Sequence, residues 1–135
     1  MPLSVQEALI YIMVTVSASD RSMTDEELRR MGSVVRNLPI FSGFDENDLP
    51  DVARQCADLV NSEAGLQGVL SAIGEAVPQH LGDTAYAVAM EVAAADLVVN
   101  PEEARVLQLV GERLGVDRLT RVAIETAARA RHRAL

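Results

Sequence analysis

Four carboxylates stand in two pairs of equal spacing. Asp20 and Glu27 lie seven positions apart, as do Asp96 and Glu103, and a shift of 76 lays the first pair on the second. A set of donors made only of oxygen suits hard divalent cations such as Ca²⁺, Mg²⁺ or Mn²⁺, with Zn²⁺ also accommodated. The same shift lays Glu26 on Glu102, and residues 7–41 and 83–116 follow one plan throughout. In each copy an apolar helix ends in small residues, then come an Asp, a short turn, a capping residue and a second helix opening on paired glutamates. The chain reads as an internal duplication. A pseudo-twofold axis between the copies would gather the four carboxylates into one acidic cluster.

Each carboxylate also has a plainer reading. Glu27 and Glu103 follow Thr24 and Asn100 by three positions, where a capping box or the helix dipole accounts for a glutamate at about 0.3–1 kcal/mol. Asp20 and Asp96 are different, because an acid at the end of a helix opposes the dipole and needs a partner. A backbone amide of the following turn is one such partner, the neighbouring Arg21 is another for Asp20, and a shared cation is the third.

The elements that must position these groups are all helical. Val, Ile and Leu recur on spacings of three and four, and no segment alternates with period two. The first helix is expected over about 3–19, with Leu9, Ile12, Met13 and Val16 on one face. The second starts after Thr24 and buries Leu28, Met31, Val34, Val35 and Leu38 before Pro39 ends it. Asn47 or Asp48 caps a third helix that admits Pro50 in its first turn, with Val52, Cys56 and Leu59 inside. A fourth, over about 63–77, buries Leu66, Val69, Leu70, Ile73 and Val77, and Pro78 with Gly82 closes it. Asp83 caps the fifth, which buries Val88, Ala89 and Val92. Asn100-Pro101 opens the sixth, with Ala104, Leu107, Val110 and Leu114 facing inward, until Gly115 stops it. Asp117 caps a seventh, packed down by Leu119, Val122 and Ala123. The expectation is one domain over 1–135, an all-α array of about seven short helices.

At 49% apolar and 24% charged, 135 residues suffice for one proper core and fall short of two ordinary domains. Trp is absent and Phe and Tyr number two each, so that core is aliphatic. The formal charge of −8 is uneven: residues 118–135 carry five Arg against one Glu, a local +4, which leaves −12 on the rest. So acidic a body repels phosphate backbones and attracts cations or basic partners, so nucleic acid is not an expected partner. The basic tail fits arginines complementing the negative end of a last helix.

Lysine is absent, which excludes Schiff-base chemistry and a lysine-bearing phosphate loop. Cys56 is the lone cysteine, read as a buried core thiol in a reducing cytoplasm. The uncharged run 8–19 is shorter than the ~20 residues of a membrane-spanning helix, and Gln6-Glu7 precedes it where a signal peptide would be basic. His80 and His132 have no metal-type or triad spacing. Ser17 and Ser19 have no activating histidine, and Met13, Met31 and Met90 read as core filler. No nucleophile, acid–base pair or organic-cofactor fingerprint emerges, and the chain does not read as an enzyme.

The doubled motif resembles the tellurite-resistance TerB-like family. It stands here as Ser17-Ala18-Ser19-Asp20 with Thr24-Asp25-Glu26-Glu27, and again as Ala93-Ala94-Ala95-Asp96 with Asn100-Pro101-Glu102-Glu103, within a likeness over roughly residues 5–130. The resemblance implies a compact helical array with pseudo-twofold symmetry, a part in tellurite and chemical-stress resistance, and an acidic surface that takes a divalent metal. Related domains occur beside co-chaperone, signalling or membrane partners. Arg21 and Leu97 stand where the family commonly has a glycine, which alters the expected turn. Two functions follow. One is a non-enzymatic stress protein that binds a divalent cation through Asp20, Glu27, Asp96 and Glu103. The other is a metal-free acidic module that docks a basic or membrane-associated protein.

Overall fold

The computed structural model describes residues 3–17, 24–94 and 101–135. Seven α-helices follow one another along them: α1 Val5–Ser17, α2 Asp25–Asn37, α3 Leu49–Val60, α4 Gly65–Ala76, α5 Gly82–Ala93, α6 Pro101–Arg113 and α7 Arg118–Arg131. Short 3₁₀ turns at Pro39–Phe41, Glu46–Asp48 and Gln79–Leu81 join some of them, and the described residues contain no strand. The all-α expectation holds.

Helix α1 is the axis of the core. It was expected to bury one face, yet every residue from Ala8 to Val16 is buried. The reason is tertiary: α5, α3, α4 and α6 all pack against it, with α2 touching it as well, so a run without charges has no side left for water. Helix α5 is nearly as enclosed, burying Ala85, Tyr86, Val88, Ala89, Met90, Val92 and Ala93. The α1–α5 pair forms the spine, with α3 laid on α1 and α7 laid on α5. Helix α6 touches both members of that pair, as does α2, and α4 closes against α1, α3 and α6. Full burial of one Leu, Ile or Met side chain contributes about 1.5–3 kcal/mol, so this enclosure supplies most of the driving force.

Local chemistry sets most helix ends where expected. Thr24 caps α2 through a complete capping box, and Leu38 with Pro39 ends it. Gly115 adopts φ +69° after α6, with Val116 N–H donating to Gly111 O and Gly115 N–H to Glu112 O, a Schellman pair open to glycine at little cost. Asp117 caps α7 by accepting from Thr120 N–H at 2.8 Å.

Several expectations are corrected. Helix α1 begins at Val5 rather than at 3, and its expected end at 18–19 lies outside the described residues. Gly82 does not close α4 but begins α5, and Asp83 is no cap: its Oδ1 accepts from Thr84 N–H inside the helix, while Leu81 takes the cap position. A side chain at Gly82 would stand 2.9 Å from Leu114 O, so the start of α5 lies directly on the backbone that follows α6. Asp45 caps the 3₁₀ turn before α3, and Asp48, though at the N-cap of α3, makes no side-chain bond there. Ala104 is exposed rather than inward. On α7, Leu119, Val122 and Ala123 are all exposed, and Ala128 is the residue buried against α5.

Candidate functional site

Of the four carboxylates singled out, Asp20 and Asp96 lie outside the described residues, as do Arg21, Leu97 and Asn100. Glu27 and Glu103 are described, each the third residue of its helix and each half-buried. Glu27 performs the capping role in full. Thr24 donates to Glu27 Oε1 from its backbone N–H at 3.2 Å and from its hydroxyl at 3.0 Å, and Glu27 N–H returns a bond to Thr24 Oγ1 at 3.1 Å. Oε2 of Glu27 accepts no hydrogen bond among the described residues, so one oxygen of that carboxylate is spare for another donor.

Asp20 stands three positions beyond Ser17, the last described residue of α1, and Asp96 three beyond Ala93, the last residue of α5. Among the described residues no three of His, Cys, Asp and Glu stand together as metal ligands. A cation site here therefore depends on the aspartates joining the glutamates, and the donors, all carboxylate oxygens, fit a hard cation.

Other titratable groups have clear places. Cys56 is fully buried, with Thr15 Oγ1 3.8 Å from its sulfur and Tyr11 O 3.7 Å away as acceptor. Burial pushes the thiol up to about 11, more than the Thr15 contact lowers it, which makes it an inert core group as expected. His80 is exposed in a 3₁₀ turn. His132, expected to be incidental, instead meets Glu91: its Nε2 lies 3.0 Å from Glu91 Oε2. Arg131 donates to the other oxygen, so the end of α7 is clamped onto α5. Partial burial raises the Glu91 carboxyl, but the bonds from His132 and Arg131 outweigh that and hold it below its usual value.

A groove of about 550 Å³ opens between α5, α6 and α7, and sequence reasoning did not anticipate it. Its floor includes Tyr86, whose hydroxyl donates to Glu125 Oε2 at 2.5 Å. Burial, then donation to Glu125, raises the Tyr86 hydroxyl further above its usual range, so it stays protonated. Arg118, Arg121 and Arg129 line the same groove. One signal for it was legible. Arg118 directly follows the Asp117 cap and Arg121 comes one turn later, near the end of the helix where a positive charge opposes the dipole rather than complementing it.

The model of the family described as tellurite resistance protein TerB matches residues 6–126 of the chain. No curated protein and no solved structure matches it significantly. Among the described residues, no helix is long and apolar enough to cross a membrane.

Proposed function

The chain belongs to the tellurite-resistance TerB family, and we propose that within that family's role it acts without catalysis, responding to a divalent cation held by Asp20, Glu27, Asp96 and Glu103. The observation that carries this reading is that α1 and α5 run toward the two aspartates while Glu27 and Glu103 each sit third in α2 and α6, inside a matched region that takes in both motifs. The packing supports it further: α2 leans on α5 and α6 on α1, so the helix opening on each glutamate pair is bound to the helix that leads into the other aspartate. The spare Oε2 of Glu27 leaves its capping role and metal ligation compatible.

Thermal unfolding with Ca²⁺, Mg²⁺, Mn²⁺ or Zn²⁺ tests this directly. A cation at about 100 times its Kd adds about 2.7 kcal/mol of stability, and the joint substitution Asp20→Asn, Asp96→Asn removes the gain. No rise in Tm with any of the four cations would overturn the reading. One observation favours a second reading, namely that the Glu27 capping box already explains that glutamate. In that case the acidic body docks a basic or membrane-associated partner protein, and the association weakens with salt while ignoring chelators.

A further inference from the structure

We propose that the groove between α5, α6 and α7 binds a small amphiphilic anion, a carboxylate or phosphate monoester bearing an apolar chain or ring, with Arg118, Arg121 and Arg129 on its charge and Met90 and Leu107 under its apolar part.

The charge of the groove is exceptional for this molecule. The first 117 residues carry 19 acidic groups against seven Arg, yet the groove is lined by three Arg and one Glu. Arg30, Arg36, Arg54 and Arg131 each pair with a carboxylate. Among the described residues no carboxylate comes within 4.0 Å of the guanidinium of Arg118, Arg121 or Arg129, as is true also of Arg29, Arg105, Arg113 and Arg133, but only the first three line one concavity together. The Glu in the groove, Glu125, is instead taken by the Tyr86 hydroxyl. Three cations thus face one concavity whose acidic lining group is Glu125, with Asp117 near enough to Arg121 to feel its charge, and electrostatic complementarity fills the remaining surplus of positive charge with an anion.

Helix geometry shows that the placement is not a dipole effect. Positions 118, 121, 125 and 129 fall on one face of α7, at spacings of three, seven and eleven. Arg129 lies in the last turn, where the dipole favours it, but Arg118 is the first residue of the helix, where the dipole disfavours it. Arg121 is also positioned by its neighbour. Gly111 of α6 offers no side chain, and a Cβ there would stand 2.7 Å from Arg121 Cδ and 3.2 Å from Tyr86 Cε1, so the arginine stem lies across bare helix backbone beside the tyrosine ring.

The apolar requirement comes from the floor and the rim. Met90 is 1% exposed and Leu107 6%, while Val122 stands at the rim 47% exposed. A cavity of about 550 Å³ lies in the range that holds small ligands. Met90 and Leu107 are nearly dry already, so the apolar surface an amphiphile would cover is mainly Val122 at the rim, which a bare inorganic anion would leave exposed.

Isothermal titration of the full chain with octyl phosphate and with octanoate tests the proposal, with octyl glucoside, octyltrimethylammonium and inorganic phosphate as controls. Saturable one-to-one binding is expected for at least one of the two anionic amphiphiles, weakening as salt rises, and the tighter of the two identifies the head group. Arg121→Gln with Arg129→Gln should weaken it about tenfold or more. Arg118→Glu should weaken it several-fold while leaving Tm unchanged or raised, because the dipole favours an acid there, and a merely structural arginine would not behave so. Equal binding of octyl glucoside or inorganic phosphate, no binding of either anionic amphiphile, or unchanged affinity in the double variant would each overturn the proposal.

Discussion

Helices α3 and α7 hold comparable places in the chain's order, each following a helix that opens on paired glutamates, yet they are anchored by different physics. Helix α3 lies on α1 with α4 against it, and buries Leu49, Val52, Ala53 and Cys56. Helix α7 lies on α5 and fully buries only Ala128. Among the described residues no helix does for α7 what α4 does for α3. Its flank toward α6 is consequently open, and there the arginine-lined groove appears. Polar contacts replace the missing apolar ones: Asp117 caps its start, and Arg131 with His132 pins its end to Glu91. The lesson is that similar helices in similar positions acquire different roles according to how many neighbours cover them.

The comparison breaks most visibly if the apolar anchors prove equal. Leu49→Ala in α3 should cost about 2–5 kcal/mol by equilibrium urea unfolding, since Leu49 is 3% exposed and its removal leaves a cavity. Leu119→Ala in α7, at 81% exposure, should stay within about 0.5 kcal/mol. Similar costs would erase the distinction between the two helices.

The caps sharpen it at smaller scale. Asp117 accepts from Thr120 N–H and from the Thr120 hydroxyl, and the backbone bond is the main reason its carboxyl is held low. Asp48, at the N-cap of α3, makes no such bond. Asp117→Ala should therefore lower Tm measurably, and Asp48→Ala should leave it within a degree or so.

The smallest effect is a pH dependence confined to the end of α7. A carboxyl held below its usual value when folded, as Glu91 is, stabilises fully above its ordinary pKa of 4.5 and loses that contribution as pH falls through the lower, folded value. Wild type should therefore lose more stability than Glu91→Gln between neutral pH and pH 3, with amide exchange near Arg131 and His132 accelerating first. Parallel pH profiles for the two proteins would show that the clamp contributes nothing.

Much of this was legible in the chain itself. Thr24, Gly115 and Asp117 act through bonds to residues a few positions away, and Pro39 and Pro50 through a fixed φ and a missing N–H, so their effect on helix ends reads directly from local sequence. Periodicity likewise marked Met31, Val35, Val52, Ile73 and Val110 as core. It failed where burial depends on a distant neighbour. Ile10 and Val14 sit off the expected face of α1 and are buried because several helices surround it. Leu119 and Val122 have the spacing of an inner face and are exposed because nothing lies beyond them.

The candidate sites divide along the same line. The pairing of Asp20 with Glu27 and of Asp96 with Glu103 is a property of sequence spacing, and so is the capping role that Glu27 fulfils. The groove is a property of tertiary packing alone. Arg118, Arg121 and Arg129 become a set only because α7 turns one face toward α6, Gly111 lets Arg121 lie flat, and the hydroxyl of Tyr86 engages Glu125. Local hydrogen bonding and helical period are encoded within a few residues, and they determined the helices. Which helices cover one another, and which charges are left without a partner, depend on contacts between distant parts of the chain that only the folded molecule brings together.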